Sequence, residues 1–292
     1  MRNRVSLSMA TLVALAAAGA GYAQEPTGAA AVKQVEEAGH AEFSTAPRWE
    51  LSAEPGLWYV APSGKANFPA SSGSRGPKIF LNDMSMDSPR LSPAAEVNLR
   101  RGNWGVSVRG FMFGASDQNW SATYASRIGT IDFVPGDQFQ TSLDFGTFEL
   151  EGSYRFLETG GLPAGSGDGW KVRAALDGVF GARLYDIDFR VDRVSGSPAS
   201  ARESATLIEV LGGVKGSLDI GNDWTVDLLT TFGGLNESFS WDIMPGFQWK
   251  PFRNFGVQIG YRQLLFRIDQ GDDGMKWDGA LAGLSFGIIV RF

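Results

Sequence analysis

The chain has 292 residues, a formal net charge of −6 at neutral pH, no cysteine and a mean hydropathy of −0.11. These totals exclude a disulfide framework, a lipid-modified cysteine and a bundle of membrane-spanning helices, and the negative charge argues against nucleic acid as a partner. Glycine (38 residues) and aromatic residues (12%) are abundant. Both suit a membrane β-barrel, although a secreted β-sandwich has similar totals.

The N-terminus has the features of a secretory signal peptide. Two arginines precede an apolar run from Leu12 to Ala20, and small residues precede a cleavage site after Ala23. Residues 1–23 are therefore predicted to be a signal peptide; a lone membrane anchor is disfavoured because the apolar run is short. Residues 24–46 are predicted to form a separate periplasmic segment, either a short helix near 29–38 or a flexible leader.

From residue 47 to residue 292 the sequence alternates apolar and polar residues with period two, which predicts β-strands. The clearest example sets one apolar face against one polar face: Phe148, Leu150, Gly152, Tyr154 and Phe156 against Thr147, Glu149, Glu151, Ser153 and Arg155. We count ten such segments, with eight as the alternative, and most reach the roughly 9–11 residues that a tilted strand needs to cross a bilayer. The predicted fold is an all-β, antiparallel, up-and-down transmembrane barrel.

The connections between the predicted strands alternate in length. Short turns at Gly102, Gly221 and Arg253 lie on one side, and mostly longer connections lie on the other, including predicted surface loops at 62–91 and 117–139. This asymmetry is typical of outer-membrane barrels, which have short periplasmic turns and longer extracellular loops.

One predicted strand changes its pattern partway along. Beyond Tyr185, the apolar residues Ile187, Phe189 and Val191 fall on the face that carried charged residues earlier in the segment. Two interpretations are open: a β-bulge, or a strand that projects past the bilayer.

The last segment, from Leu284 to Phe292, is predicted to be the strand that closes the barrel. Its alternate residues are apolar, and an open apolar edge strand would be a liability that pairing with the first strand removes.

Apolar residues are predicted to face lipid because a narrow interior could hardly hold them. The inward ionisable residues would then be ten acids and ten bases: Glu50, Glu54, Glu96, Glu149, Glu151, Asp177, Glu209, Asp219, Asp227 and Asp242, with Arg100, Arg109, Arg155, Lys171, Arg173, Arg183, Lys215, Lys250, Arg262 and Arg291. Buried charges are unfavourable unless paired, so the balanced signs favour pairing across a largely filled lumen. The predicted role is structural or interaction-based, with a narrow porin-like channel for ions or small solutes as the alternative.

Catalysis is disfavoured, and an outer-membrane hydrolase is only the third hypothesis. The sole histidine, His40, precedes the first predicted strand, whereas barrel hydrolases such as the omptin proteases use a histidine. Paired carboxylates at Asp186 and Asp188 are the remaining candidates. No cofactor or metal site is predicted, since acids at Asp269 and at 272–273 suit a solvated hairpin tip as well as a calcium site.

The last hairpin resembles that of small barrels in the OmpA/OmpW-like superfamily of outer-membrane proteins. The shared elements are Gly260-Tyr261-Arg262, Asp272-Asp273-Gly274, Trp277-Asp278, Gly283, Gly287 and Arg291-Phe292. An internal Gly-x-Arg-x-Tyr element at 181–185 is similar to one in the same group. Two departures are the count of ten strands, where eight is usual, and the lack of a peptidoglycan-binding domain after the barrel.

The resemblance implies a location in the bacterial outer membrane and insertion by the barrel assembly machinery. The terminal residues Phe286, Val290 and Phe292 would carry the assembly signal. The expected partners are outer-membrane lipids and lipopolysaccharide, that machinery, and an extracellular ligand bound through loops 62–91 and 117–139.

Overall fold

A computed structural model describes residues 49–69, 76–159, 172–221, 223–271 and 274–292, and this part of the chain is all-β. Within these ranges no helix is long and apolar enough to cross a bilayer. The predicted signal peptide, the segment 24–46, Lys171 and the acids at 272–273 lie outside the described residues, so the predictions made for them stay predictions.

The described residues form thirteen strands. They are β1 (Trp49–Asn67), β2 (Ile79–Phe80), β3 (Arg90–Arg101), β4 (Trp104–Ser121), β5 (Ser126–Ile128), β6 (Ile131–Phe133), β7 (Gln138–Thr159), β8 (Val172–Arg193), β9 (Ala199–Ile220), β10 (Trp224–Leu235), β11 (Ser238–Phe252), β12 (Phe255–Asp269) and β13 (Lys276–Arg291). Ten of them form a closed antiparallel barrel in the order β1-β3-β4-β7-β8-β9-β10-β11-β12-β13, with β13 pairing back onto β1. The predicted barrel and its ten strands are confirmed, and the alternative of eight is wrong.

The closing contact is the one expected for the terminal strand. β1 and β13 pair from Ser52↔Arg291 to Asn67↔Lys276, and the backbone N–H of Phe292 donates to the carbonyl of Leu51 at 3.0 Å. Closure leaves no open edge along the part of the wall where all ten strands pair, which a barrel surrounded by lipid requires.

The two ends of the barrel differ. The turn end carries the start of β1, the end of β13 and the tight turns at 102–103 and 253–254. The loop end carries the long connections after β1 and β4, although those after β8 and β10 are short, at 194–198 and 236–237. The loops themselves are shorter than predicted, because β1 continues to Asn67 and β4 to Ser121.

The outer wall carries an apolar belt, as predicted from the period of two. Large apolar side chains point outward on every barrel strand, among them Leu57, Leu99, Met112, Leu150, Phe180, Val210, Leu228, Phe247, Ile259 and Phe286; Phe180 is 56% exposed and Val210 is 63% exposed. At the turn end the belt is bordered by exposed aromatic side chains: Trp49, Trp104, Tyr154, Phe156, Trp249, Phe252 and Phe292. An apolar band with an aromatic girdle is the lipid-facing surface of a membrane barrel.

The position of the apolar belt can be tested with two substitutions on β7. Leu150→Arg places a charge in the lipid-facing band of β7 and should lower the unfolding free energy by about 2–4 kcal/mol in lipid vesicles. Gln140→Arg, on the same strand and face but ten positions nearer the loop end, should change it far less. Urea titrations followed by tryptophan fluorescence measure both, and equal effects would contradict the assigned belt.

Three strands, β7, β8 and β9, extend beyond the apolar belt toward the loop end. β7, β8 and β9 each have 22 residues, about twice what a bilayer requires. β8 pairs with β9 without a break from Val172↔Ile220 to Arg193↔Ala199, so Tyr185 and the apolar residues after it stay on the inner face. The bulge interpretation of β8 is therefore wrong. The outer face turns polar at Asp186, which agrees with a strand that projects past the bilayer.

Candidate functional site

The interior of the barrel has two layers that meet at one level. Toward the turn end the inward side chains are charged, and toward the loop end they are apolar. The change occurs on five of the barrel strands: at Arg109 to Phe111 (β4), Glu149 to Phe145 (β7), Arg183 to Ile187 (β8), Glu209 to Leu207 (β9) and Arg262 to Leu264 (β12). We call these the charged layer and the apolar core.

Glu149 is the centre of the charged layer. It is 0% exposed, and its carboxylate contacts three guanidinium groups. Its Oε1 lies 2.7 Å from Arg262 Nη2 and 3.1 Å from Arg183 Nε, and its Oε2 lies 3.2 Å from Arg109 Nη1. One buried acid therefore neutralises parts of three buried bases contributed by three different strands.

Each of the three arginines reaches further acids. Arg183 Nη1 lies 3.1 Å from Glu209 Oε1, and its Nη2 lies 2.9 Å from Asp242 Oδ2. Asp242 Oδ2 is also 2.6 Å from Arg262 Nη2. Arg109 contacts the carboxylates of two neighbouring strands, Glu96 at 2.8 Å and Glu151 at 3.3 Å. Geometry of this quality is what a buried ion network needs to offset desolvation.

The interface between the two layers is also tightly packed. The guanidinium carbon of Arg262 lies 5.1 Å from the Trp58 ring centre and 4.9 Å from that of Phe111. Cations at this distance from aromatic faces are attracted by the ring quadrupole. The Tyr185 hydroxyl donates to Glu209 at 2.7 Å, so an aromatic ring of the apolar core is anchored to the charged layer.

The remaining predicted lumen residues lie nearer the turn end. Asp177 is buried and bonded by Arg155 at 2.9 Å and by Arg100. Arg173 lies at the rim with its side chain 47% exposed, paired with Glu158 at 2.9 Å. Lys215 lies opposite Asp177 in the β8–β9 register, and the Asp227 carboxylate accepts a hydrogen bond from Gln248 at 3.3 Å.

The apolar core fills the loop end of the lumen. Phe145 is at its centre, with ring centres of Phe111, Tyr185, Phe266 and Trp277 between 5.5 and 5.9 Å away. The segment after β1 folds into the mouth rather than over it, because four of its side chains are buried: Ile79, Leu81, Met84 and Met86.

The β5–β6 hairpin lies at the mouth, where its Ile128, Ile131 and Phe133 are buried in the apolar core. Arg127 holds Asp132 within the hairpin at 2.5 and 2.8 Å, and this hydrogen-bonded contact lowers the pKa of the Asp132 carboxyl. Arg193 donates to the Asp132 carbonyl at 3.0 Å, which ties the hairpin to the end of β8. Beside it Tyr124 donates to Asp83 at 2.9 Å, and burial together with that bond raises the pKa of Tyr124 to about 12.

The large apolar and aromatic side chains of the loops fall into two groups. Phe68, Ile79 and Trp120 are buried and pack within the mouth. Phe80 and Tyr124 stay exposed.

Sequence reasoning missed a low point in the wall, which we call the lateral notch. The β10–β11 hairpin ends at residues 236–237, so β9 continues past β10 from Val210 to Ala199, whereas β12 continues past β11 only from Arg267 to Asp269. A cavity of about 500 Å³ opens there, lined by residues 206–209, 235–239 and 266–271 and by Tyr185. The only sequence signal was the short connection between β10 and β11.

Two other acids singled out in the sequence, Asp188 and Asp269, are paired with basic side chains. Asp188, proposed with Asp186 as a carboxylate pair, is held by Arg202 through two bonds at 2.9 and 2.5 Å on the outer face. Asp269 is paired with Lys276 at 2.9 Å. Among the described residues no group of three or more His, Asp or Glu side chains is placed to hold a metal ion.

The closed ten-stranded barrel with its apolar belt has the fold of the small outer-membrane β-barrel proteins, and the protein is an integral protein of the bacterial outer membrane. No family model and no curated protein matches the sequence.

Solved structures resemble it in fold. Outer membrane protease OmpT from Escherichia coli is similar with a TM-score of 0.50 at 8% sequence identity, over 83% of this chain and 97% of OmpT. Ail of Yersinia pestis is similar with a TM-score of 0.34 at 12% identity, over 84% of this chain and 99% of Ail. Neisserial surface protein A has a TM-score of 0.27 at 13% identity, over 84% of this chain and 97% of that protein.

Proposed function

We propose that this protein is a non-conducting membrane barrel that anchors an extracellular interaction surface. The observation that carries the proposal is the two-layer filling of the lumen. A solute entering from the turn end would meet the buried contacts around Glu149, and one entering from the loop end would meet the apolar core beneath the β5–β6 hairpin.

The alternative is a narrow channel for ions or small solutes. It is supported by a cavity of about 40 Å³ within the charged layer, lined by both polar side chains such as Arg100 and Lys215 and apolar ones such as Leu229. A space of this size holds about one or two water molecules. Because the apolar core above it consists mainly of buried aromatic and aliphatic side chains, which cannot hydrate an ion, we favour the non-conducting role.

We further propose that the protein is not an enzyme. OmpT is a protease, but at 8% identity the likeness extends to the fold alone. The single histidine of the sequence precedes β1, and the most deeply buried acids, Glu149, Glu209 and Asp242, are engaged with arginines, so none of these is poised to accept a proton. Turnover of peptides or of lipid A by purified protein would contradict this.

Three partners belong to the proposal. The apolar belt would contact outer-membrane lipids and lipopolysaccharide, and the outward-facing Phe286, Val290 and Phe292 of the last strand would be read by the barrel assembly machinery. On the extracellular side the exposed parts of residues 62–91 and 117–139 would meet a ligand. No cofactor is proposed.

Planar-bilayer recordings test the filled lumen. The refolded protein should give no discrete conductance steps, because neither layer leaves a continuous path for water. A sixteen-stranded porin, whose strand number leaves an aqueous channel, serves as the positive control. Reproducible unitary steps from the purified protein would replace the proposed role with the channel.

A further inference from the structure

Basic side chains are grouped on the outer wall at the upper edge of the apolar belt, where β12, β13, β1 and β2 lie side by side. On β12 the outward residues change from Leu265 to Arg267, and on β13, in register with them, from Ala280 to Asp278. Lys65 of β1 lies opposite Asp278 on its other side. The row of Arg267, Asp278 and Lys65 therefore lies directly above the belt, where hydrocarbon gives way to lipid headgroups.

This cluster, which we call the basic patch, holds more positive than negative charge. Its bases are Lys65, Lys78, Arg267 and Lys276, and its acids are Asp269 and Asp278. Four bases against two acids leave a surplus of two positive charges, although the whole chain carries a formal net charge of −6. A local surplus of cations at the membrane surface favours an anionic partner.

The ion pairs within the basic patch identify the two bases that supply the surplus. Both acids are neutralised by lysines, Lys78 at 2.6 Å and Lys276 at 2.9 Å. Arg267 approaches Asp278 only to 3.7 Å, and its side chain is 63% exposed. Lys65 is exposed, and its ammonium group makes no ion pair or hydrogen bond with the other residues that the structure describes. Arg267 and Lys65 are therefore the groups available to a ligand.

Arg267 and Lys65 stand on either side of β13. Strands are about 4.8 Å apart, so the backbones of β12 and β1 are separated by about 10 Å. Two long side chains can converge from this separation on one phosphate group, and a guanidinium can bond two phosphate oxygens at once. Phe80 of β2 lies opposite Lys65 and is 54% exposed, and an aromatic ring there suits the boundary between acyl chains and headgroups.

The wall on the opposite side of the barrel has the reverse charge. Above the belt, the outward charged residues of β7, β8 and β9 are Asp144, Asp186, Asp188, Asp192, Arg190 and Arg202. Acids outnumber bases there by four to two, and both arginines are paired, Arg190 at 2.7 Å and Arg202 at 2.5 Å. The surplus of positive charge thus belongs to the wall around β13 and is not a general property of the loop end.

We propose that the basic patch binds a phosphate group of an outer-leaflet lipid, of the kind that lipopolysaccharide carries. Arg267 and Lys65 bond the phosphate oxygens, and the acyl chains of the same lipid lie on the belt below, against side chains such as Tyr59. Because each buried methylene group of those chains adds to binding, a dissolved phosphate ion binds far more weakly. This site deepens the proposed contact with outer-membrane lipid and rests on it.

The test uses the mature protein refolded in micelles of a zwitterionic detergent, with diphosphoryl lipid A as the probe. Native mass spectrometry measures the fraction of barrels that carry lipid A. Lipid A without its phosphates should bind about tenfold more weakly or worse, because it cannot form the charge-assisted hydrogen bonds. Inorganic phosphate in large excess should not displace lipid A; displacement would indicate a site for dissolved anions and would overturn the proposal.

Three variants with the same change of charge localise the binding. Arg267→Glu and Lys65→Glu should each weaken lipid A binding about tenfold, whereas Arg190→Glu on the opposite wall should leave it unchanged. Arg267→Lys keeps the charge and should retain most of the binding, which separates loss of charge from a local change of structure.

Binding by both patch variants as tight as that of the unmodified protein would overturn the proposal. Equal losses in all three glutamate variants would also overturn it, since they would indicate a general effect of net charge. Silent bilayer recordings from a protein that fails to bind lipid A would leave the non-conducting role intact, so the two proposals fail separately.

Discussion

Replacing Glu149 with alanine should lower the free energy of unfolding by about 3–5 kcal/mol, the range expected when one partner of a buried ion pair is removed. The reason is the geometry of the charged layer: the variant leaves Arg109, Arg183 and Arg262 buried around a space without a carboxylate. Urea titration of the protein refolded into lipid vesicles, followed by tryptophan fluorescence, measures the change.

The matched control is another acid that contacts two arginines. Glu158 pairs with Arg155 at 3.1 Å and with Arg173 at 2.9 Å, but its side chain is 39% exposed at the turn end. Glu158→Ala should therefore change the unfolding free energy by at most about 1 kcal/mol. A Glu149→Ala variant as stable as Glu158→Ala would show that the charged layer does not hold the wall together.

Replacing Phe145 with alanine is expected to have a comparable effect, about 3–5 kcal/mol, because it opens a cavity among four aromatic rings. The same titration applies. Phe180→Ala is the control: Phe180 is equally large but points outward, where lipid can occupy the space that its ring leaves. If the two variants lose the same stability, the loop end of the lumen is not a packed core.

The strands of the barrel wall could be predicted from the sequence, because the alternation of apolar and polar residues is a local pattern within each strand. Side chains alternate along each strand with period two, so residues such as Phe180 and Arg183 are assigned to opposite faces by counting alone. Repetition of that pattern also gave the number of strands and the closing role of the last one, which β13 confirms by pairing with β1.

For the lumen, the sequence predicted which residues are charged and inward-facing, but not which of them pair. The expectation of paired charges named the participants, but the partner of a given charge depends on which strands face each other across the interior. Glu149 and Arg262 are 113 positions apart in the sequence and meet at 2.7 Å. Nothing local in the sequence encodes such a contact, since it follows from closure and stagger of the whole barrel.

Two features could not be settled from the sequence for a physical reason. The change on β8 after Tyr185 left a bulge open beside a projecting strand, because apolar residues were expected to face lipid along the entire strand. Above the membrane the solvent outside is water, so the preference of the two faces reverses while the strand continues unbroken. The lateral notch depends on the relative lengths of neighbouring hairpins, which no single segment reveals.

The reversal between the charged layer and the apolar core has a consequence for how the strands find their partners. In an ordinary barrel, a strand that shifts by one residue places the wrong side chains against lipid. Here the same shift in β8 would also turn Asp186 and Asp188 toward the aromatic interior while Arg183 turned toward the acyl chains. Correct alignment is thus specified at two heights of the wall, and an error at one height cannot be relieved at the other.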